Sequence, residues 1–312
     1  MFKFFQKFSN VKKGLYLVLG TALISGLAVF LNKFATDAVG NASVFTTAKN
    51  FIVAMILSLI ILTPHVVDEF KKITKKEWLM LGAIGIIGGS VAFLLFFEGL
   101  ARTNASSAGF IHKTLFIWVA ILAIPLLKEK LSKIQFIALG LLIVSNFFLS
   151  GTNFLNFNTG SLLIFSATVL WAIEYVIAKK LLSTIDPKIV AWARMFFGAI
   201  IMIAFLLFTN QFRHLFTLNG LQWSWIVLTS AILLGYVLTW YFSMKHLPVS
   251  VLSSILVIAS PITTLLNNIF VTHQYSTNQA LGSLIALFGV SLIAYTLYKN
   301  NKNESTIAKQ PI

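Results

Sequence analysis

Apolar runs of helix length recur from one end of the chain to the other, separated by short polar clusters. Cutting at those clusters yields ten candidate spans, roughly 14–35, 44–63, 77–100, 106–127, 133–150, 160–181, 188–208, 222–244, 250–271 and 279–298. Each is close to the ~20 residues a helix needs to cross the hydrocarbon core. In lipid the backbone must satisfy its own hydrogen bonds, so such runs predict helices. The expected fold class is an all-α integral membrane protein with ten transmembrane helices.

Composition strengthens that reading. Hydrophobic residues make up 58% of the 312 residues and charged ones only 11%, far from the balance of a soluble domain. A net charge of +15 would also suit a nucleic-acid binder, but its distribution argues otherwise. Eighteen of the 24 Lys and Arg residues fall at the termini or in alternate connections: Lys3, Lys7, Lys12 and Lys13, then Lys71 to Lys76, Lys128 to Lys133, Lys179 to Lys188, Lys245, and Lys299 to Lys309. Basic residues gather on the cytoplasmic side of a membrane protein. Both termini and the 64–76 connection are therefore expected in the cytoplasm, in a multi-pass protein of the cytoplasmic (inner) membrane. The first apolar run lacks a small-residue cleavage site and reads as a retained helix. With no Cys in the chain, disulfides and thiol chemistry are excluded.

The chain also repeats itself. Sliding it by 145 or 146 positions places Gly14 on Gly160, Lys33 on Lys179, Lys49 on Arg194, Phe51 on Phe196, Trp78 on Trp223 and Phe97 on Phe242. The halves are expected at 1–150 and 151–298, with a disordered cytoplasmic tail at 299–312. Each holds five crossings, an odd number, so the second half is expected to be inverted. Inverted repeats with a site between them near the midplane are a transporter architecture.

Several phrases carry a family likeness: "FFEGLARTNASSAGFI", "WYFSMKHLPVSVLSSILVIASPITTLL", "LLKEKLS" after the fourth span and "ALGSLIALFGVSLI" in the tenth. With two five-helix halves and short loops, the chain resembles the EamA-type drug/metabolite transporters over about 14–298. The resemblance implies secondary transport and a basic residue early in the second helix of each half, here Lys49 and Arg194. The chain departs from the pattern where Phe116, not Pro, matches Pro261, where Gln274 matches Glu129, and at His112 and Lys113.

The polar residues inside the spans are the candidates for substrate binding or coupling. Thr21, Ser25, Ala28 and Asn32 share one face of the first span at helical period. The 146-residue shift carries these to Ala167, Trp171, Glu174 and Ala178. Small residues there permit close packing, but a carboxylate at the depth of Glu174 is a functional candidate, either as a coupling site or as the partner of Arg194. In the fourth span His112 lies on the face that is polar in the ninth. Lys113, about 100° around the helix, meets a substrate carboxylate or phosphate, pairs with a helix carboxylate, or extends its stem to the outer surface. Glu98 stands four residues from Arg102, and a local pair would explain it. Lys49 is a candidate for gating or charge balance. Trp171, Tyr175, Tyr236 and Trp240 lie near the polar faces and could stack on a ligand or hydrogen-bond to it.

These features favour a secondary transporter that exports or exchanges a small polar metabolite, an amino acid or another carboxylate, by alternating access. A membrane-embedded enzyme or a non-transporting scaffold is the alternative, and no catalytic constellation supports an enzyme. The chain has neither a P-loop nor HExxH, and no metal-ligand spacing of His, so no cofactor or metal is expected. The expected partners are a small-molecule substrate and the lipid bilayer, not nucleic acid, with the protein a monomer or homodimer.

Overall fold

The computed structural model describes residues 10–103, 105–150, 158–274 and 276–307, and among these it is helical with no strand. Lys3 and Lys7, the 151–157 connection and Lys309 lie outside the described residues. In chain order the helices are α1 (Asn10–Val39), α2 (Ala42–Ile61), the short α3 (Pro64–Phe70), α4 (Lys75–Ile86), α5 (Ala92–Arg102), α6 (Ala105–Lys113), α7 (Leu115–Leu127), α8 (Lys133–Ser150), α9 (Thr159–Leu181), α10 (Pro187–Phe208), α11 (Gly220–His246), α12 (Val249–Ile255), α13 (Ala259–Asn267) and α14 (Thr277–Ile307).

Local chemistry sets the boundaries. Gly40, at φ +74°, ends α1, a backbone region open to glycine without steric cost. Asn41 then caps α2 by accepting from the Val44 N–H at 3.0 Å. Thr74 with Glu77 and Asn219 with Gln222 form capping boxes at the starts of α4 and α11. Asp186 caps α10, whose first residue is Pro187. Pro fits there because its missing N–H would have no helical partner anyway.

Nine helical stretches among the described residues are long and apolar enough to cross a membrane. The stretch expected at 133–150 is also an apolar helix but shorter than the others, at Lys133–Leu149. Outward-facing Leu59, Leu79, Leu162 and Leu284 are each more than 60% exposed, as lipid contact requires and as water would penalise. At the C-terminal end α14 runs on to Ile307. The disordered tail expected from residue 299 is therefore helical as far as that residue, because nothing in "YKNNKNESTI" breaks a helix as Pro or Gly would.

The packing exchanges partners between the halves. α1 packs on α11, and α9, its counterpart, packs on α5; α2 packs on α10, and α8 on α14. Swapping the two halves maps this set of pairs onto itself. The fourth span of each half is interrupted at an equivalent place. α6 and α7 are separated at Thr114, and a 3₁₀ turn at Leu256–Ile258 separates α12 from α13; the 145-residue shift carries Thr114 to Ala259.

A further irregularity, in the third span, has no counterpart at the matching place in α11. A π turn at Ile87–Val91 joins α4 to α5 and lies against α10. A Cβ on Gly89 would come within 2.2 Å of the Arg194 carbonyl oxygen, and one on Gly198 within 2.5 Å of the Gly89 oxygen. Gly89→Ala should therefore force the two backbones apart and lower stability by about 1–3 kcal/mol, as overpacking does. Gly82→Ala, whose Cβ meets nothing within 4 Å, should leave stability unchanged or raise it. Thermal unfolding of the purified variants in detergent checks both.

Candidate functional site

The deepest charged groups meet where α9 and α10 pack on the π turn and Tyr241 of α11 reaches in. Glu174 of α9 is fully buried and Arg194 of α10 is 3% exposed. Glu174 Oε1 accepts a hydrogen bond from the Tyr241 hydroxyl at 2.5 Å. Its other oxygen, Oε2, lies 3.9 Å from Arg194 Nε, and neither of those two atoms has a hydrogen-bond partner. The pair is thus held electrostatically and is incompletely bonded.

The π turn supplies the remaining contacts. The Ala92 N–H bonds to the Ile87 oxygen five residues back, which shifts the backbone ladder past Gly88. The Gly88 oxygen accepts from Trp171 Nε1 at 3.1 Å and from Arg194 Nη2 at 3.4 Å. Glycine is required here by space: a Cβ on residue 88 would lie 2.4 Å from Glu174 Cγ. A π-bulge of this kind often marks a functional position.

Aromatic side chains enclose the pair on two sides. Trp171 packs edge-on against Phe93 and His112, with ring centroids 5.3 and 5.0 Å apart, and Arg194 sits 5.8 Å from the Phe93 ring centre. Tyr175 and Tyr236 bring their hydroxyls within 3.4 Å of each other, and both pack on Trp240. His112 Nδ1 and Trp240 Nε1 are buried without hydrogen-bond partners. Buried orphan polar atoms invite a ligand or ordered water. Arg194, Glu174, Trp171, Tyr175, Tyr236, Trp240 and His112, named from sequence, thus form one connected cluster.

Other candidates lie elsewhere. Glu98 is exposed and pairs with Arg102, outside the cluster. Lys113, next to the break at Thr114, is half-buried and makes no ion pair among the described residues. Lys49 is 3% exposed, donates to Asn32 Oδ1 at 3.3 Å and lies 4.6 Å from the Phe45 ring centre. Ser25 is half-buried on the same face of α1, where Thr21 bonds across the halves to Thr239 at 2.9 Å. Sequence reasoning missed Tyr241 and Gly88. Tyr241 follows a candidate Trp directly, and the Gly88–Gly89 pair inside an apolar span was a visible sign of close backbone approach. Among the described residues no group of three His, Cys, Asp or Glu could hold a metal ion.

Comparison with known proteins follows the same division into halves. The family described as the EamA-like transporter family matches residues 12–151 and again 158–295. The chain belongs to this family. An uncharacterized transporter, YyaM, of Bacillus subtilis is 25% identical to this EamA-family chain over 303 residues, 93% of the chain and 97% of the relative. An uncharacterized transporter of Synechocystis sp. is 24% identical over 278 residues, 82% and 77% of the two chains. A solved crystal structure shares the fold, with a TM-score of 0.73 at 17% identity over 93% of this chain and 99% of that one. The protein is thus a multi-pass membrane transporter by family, with one EamA match ending at residue 151 and the next beginning at 158.

Removing one member of a buried ion pair leaves an uncompensated charge, at a cost of about 3–5 kcal/mol. Arg194→Met should accordingly lower the unfolding temperature of the purified transporter sharply, and Arg194→Met with Glu174→Gln should recover most of the loss. A double variant no more stable than Arg194→Met would show that the two side chains are not coupled.

Proposed function

We propose that this EamA-family protein is a secondary transporter that moves a small carboxylate-bearing or zwitterionic metabolite, an amino acid among the candidates, across the cytoplasmic membrane by alternating access. The same reading makes it ten crossings in two inverted five-helix halves, both termini cytoplasmic, working as a monomer or homodimer in export or exchange. The observation that carries it is the buried, incompletely bonded Glu174–Arg194 pair, set where helices of both halves converge and flanked by aromatic rings with unpartnered polar atoms. The equivalent interruptions of the fourth and ninth spans support it, since discontinuous helices in matching places of two halves point to a transport site.

The bonding of Glu174 suggests how a proton would enter. Oε1 is already engaged by Tyr241, whereas Oε2 has no hydrogen bond, so Oε2 is the atom to be protonated. Neutralising the carboxylate removes the attraction that holds Arg194 and frees the guanidinium for a substrate anion or for a different helix packing. A conformational change requires such a difference in interaction between two states. The embedded bases Lys49, Lys113 and Arg194 outnumber the one embedded acid, Glu174, which favours an anionic group on the substrate.

Glu174→Gln keeps the shape and the acceptor oxygen but removes the titratable proton. In vesicles containing the reconstituted protein, this variant should lose uptake driven by a pH gradient while keeping folded yield. Normal pH-driven flux would rule Glu174 out as the coupling site and leave the ion pair as structure.

Orientation has its own check. Single Cys residues placed in this Cys-free chain at Lys72 and at Gln274 should react with a membrane-impermeant reagent from opposite sides, Gln274→Cys alone in intact cells. Labelling of Lys72→Cys in intact cells would reverse the assignment.

A further inference from the structure

We infer that Lys49, with Asn32, is the point at which the transported molecule's carboxylate is recognised, in the place that Glu174 occupies in the other half; the inference rests on the transport reading above. Lys49 and Arg194 correspond under the internal repeat, and each is the eighth residue of its helix, α2 and α10, which pack on one another. Both are buried to within a few per cent. Their surroundings differ in one respect. Arg194 faces Glu174, but the residue of α1 corresponding to Glu174 is Ala28. The first half therefore keeps the buried cation and lacks the carboxylate.

No other acid in the protein replaces it. Of the nine acidic residues, Asp37 is exposed, and Asp68 and Glu98 pair with Lys71 and Arg102. Glu69, Glu77, Glu129 and Asp186 accept hydrogen bonds from backbone N–H groups of Asp186, Thr74, Val249 and Lys188. Glu174 is with Arg194, and Glu304 lies beyond the last membrane-length stretch, Thr277–Lys299. Lys49 thus has one neutral hydrogen bond, to Asn32, and an aromatic ring, for a group that carries three donors. An isolated ammonium in a membrane interior costs several kcal/mol, and here the side chain is buried too completely to reach the surface, unlike the half-buried Lys113.

The neighbouring atoms suit an incoming ligand. Thr46, Lys49 and Asn50 span about 100° of the α2 surface, and Thr46 Oγ1, Thr47 Oγ1 and Asn50 Oδ1 are buried with no hydrogen-bond partner. Ala28 is small, and Ser25 and Asn32 lie one turn to either side of it on α1. A carboxylate held over Ala28 would complete Lys49's bonding as Glu174 complements Arg194. An Asn50 oxygen still free to accept fits an amino group on the same molecule.

The test uses the purified full-length chain in detergent, with ligand protection read from the unfolding temperature. The probes are glycine, L-leucine, L-glutamate, lactate and succinate, with glycinamide and L-leucinamide as carboxylate-free controls. At least one acid should protect the wild type where the amides do not. Lys49→Met should weaken that protection tenfold or more, and Lys49→Arg by only a few-fold. Ala28→Glu, which installs the missing carboxylate, should also abolish protection, while raising the unfolding temperature of the wild type and lowering that of Lys49→Met. Protection unchanged in Lys49→Met, amides that protect as well as acids, or no protection of the wild type by any acid would overturn the inference. Because binding in detergent needs no flux, vesicles that bind a carboxylate but never move it would sink the transport reading while leaving this site standing.

Discussion

A carboxylate and a guanidinium in the middle of an apolar bundle impose more on this protein than any other pair of residues. Each would be very costly alone in hydrocarbon. Their proximity lowers that cost, but only if other groups complete the arrangement. Tyr241 supplies a short hydrogen bond to one oxygen of Glu174, and the Gly88 carbonyl receives Arg194 and Trp171 together. That carbonyl is presented by a π turn, and the turn approaches α10 only because Gly88, Gly89 and Gly198 lack side chains. The glycines, the irregular backbone and the tyrosine are all consequences of placing one ion pair where water is absent.

The two halves share a frame and differ in charge. Partner helices exchange between halves, and the fourth span of each breaks within a few residues of the matching place. Yet Arg194 in the second half faces Glu174, with the first half's π turn packed against them, while Lys49 in the first half has only Ala28 at the matching place. The backbone is thus closely symmetric and the buried charge is not. The ends of the bundle differ as well. Glu129 accepts from the Val249 and Ser250 N–H groups, and Lys179 donates to the Met244 and Leu247 carbonyls. These side chains satisfy the backbone at both sides of the α11–α12 connection, where helix termini leave groups unpaired.

Much of the fold was legible because lipid simplifies the code. A segment that must satisfy its backbone internally becomes a helix almost regardless of detail, so hydropathy alone located the long apolar helices, though not the short α3, to within a few residues. The repeat was legible because Gly14/Gly160, Lys33/Lys179 and Lys49/Arg194 keep their spacing. The end of α14 was not, since hydropathy marks where the membrane stops and says little about where a polar helix unwinds. Glu98 was legible too, because its partner Arg102 is four residues away on one helix.

Depth and helical face are properties of a single segment, and sequence alone determined them: that Glu174 and Arg194 lie inside their spans, that Trp171 shares a face with Glu174 and Tyr175 lies close to it, and that Lys49 repeats Arg194. Distances between segments are set by how the helices' side-chain surfaces fit together, and only the tertiary structure decided those. It brought Tyr241 rather than its neighbour Trp240 to the carboxylate, joined His112 to the cluster through Trp171, and gave Lys113 no counter-charge among the described residues. A residue's neighbours along one helix follow from a fixed rotation per residue, whereas its neighbours across helices depend on crossings that small residues such as Gly89 and Gly198 permit and no local pattern specifies.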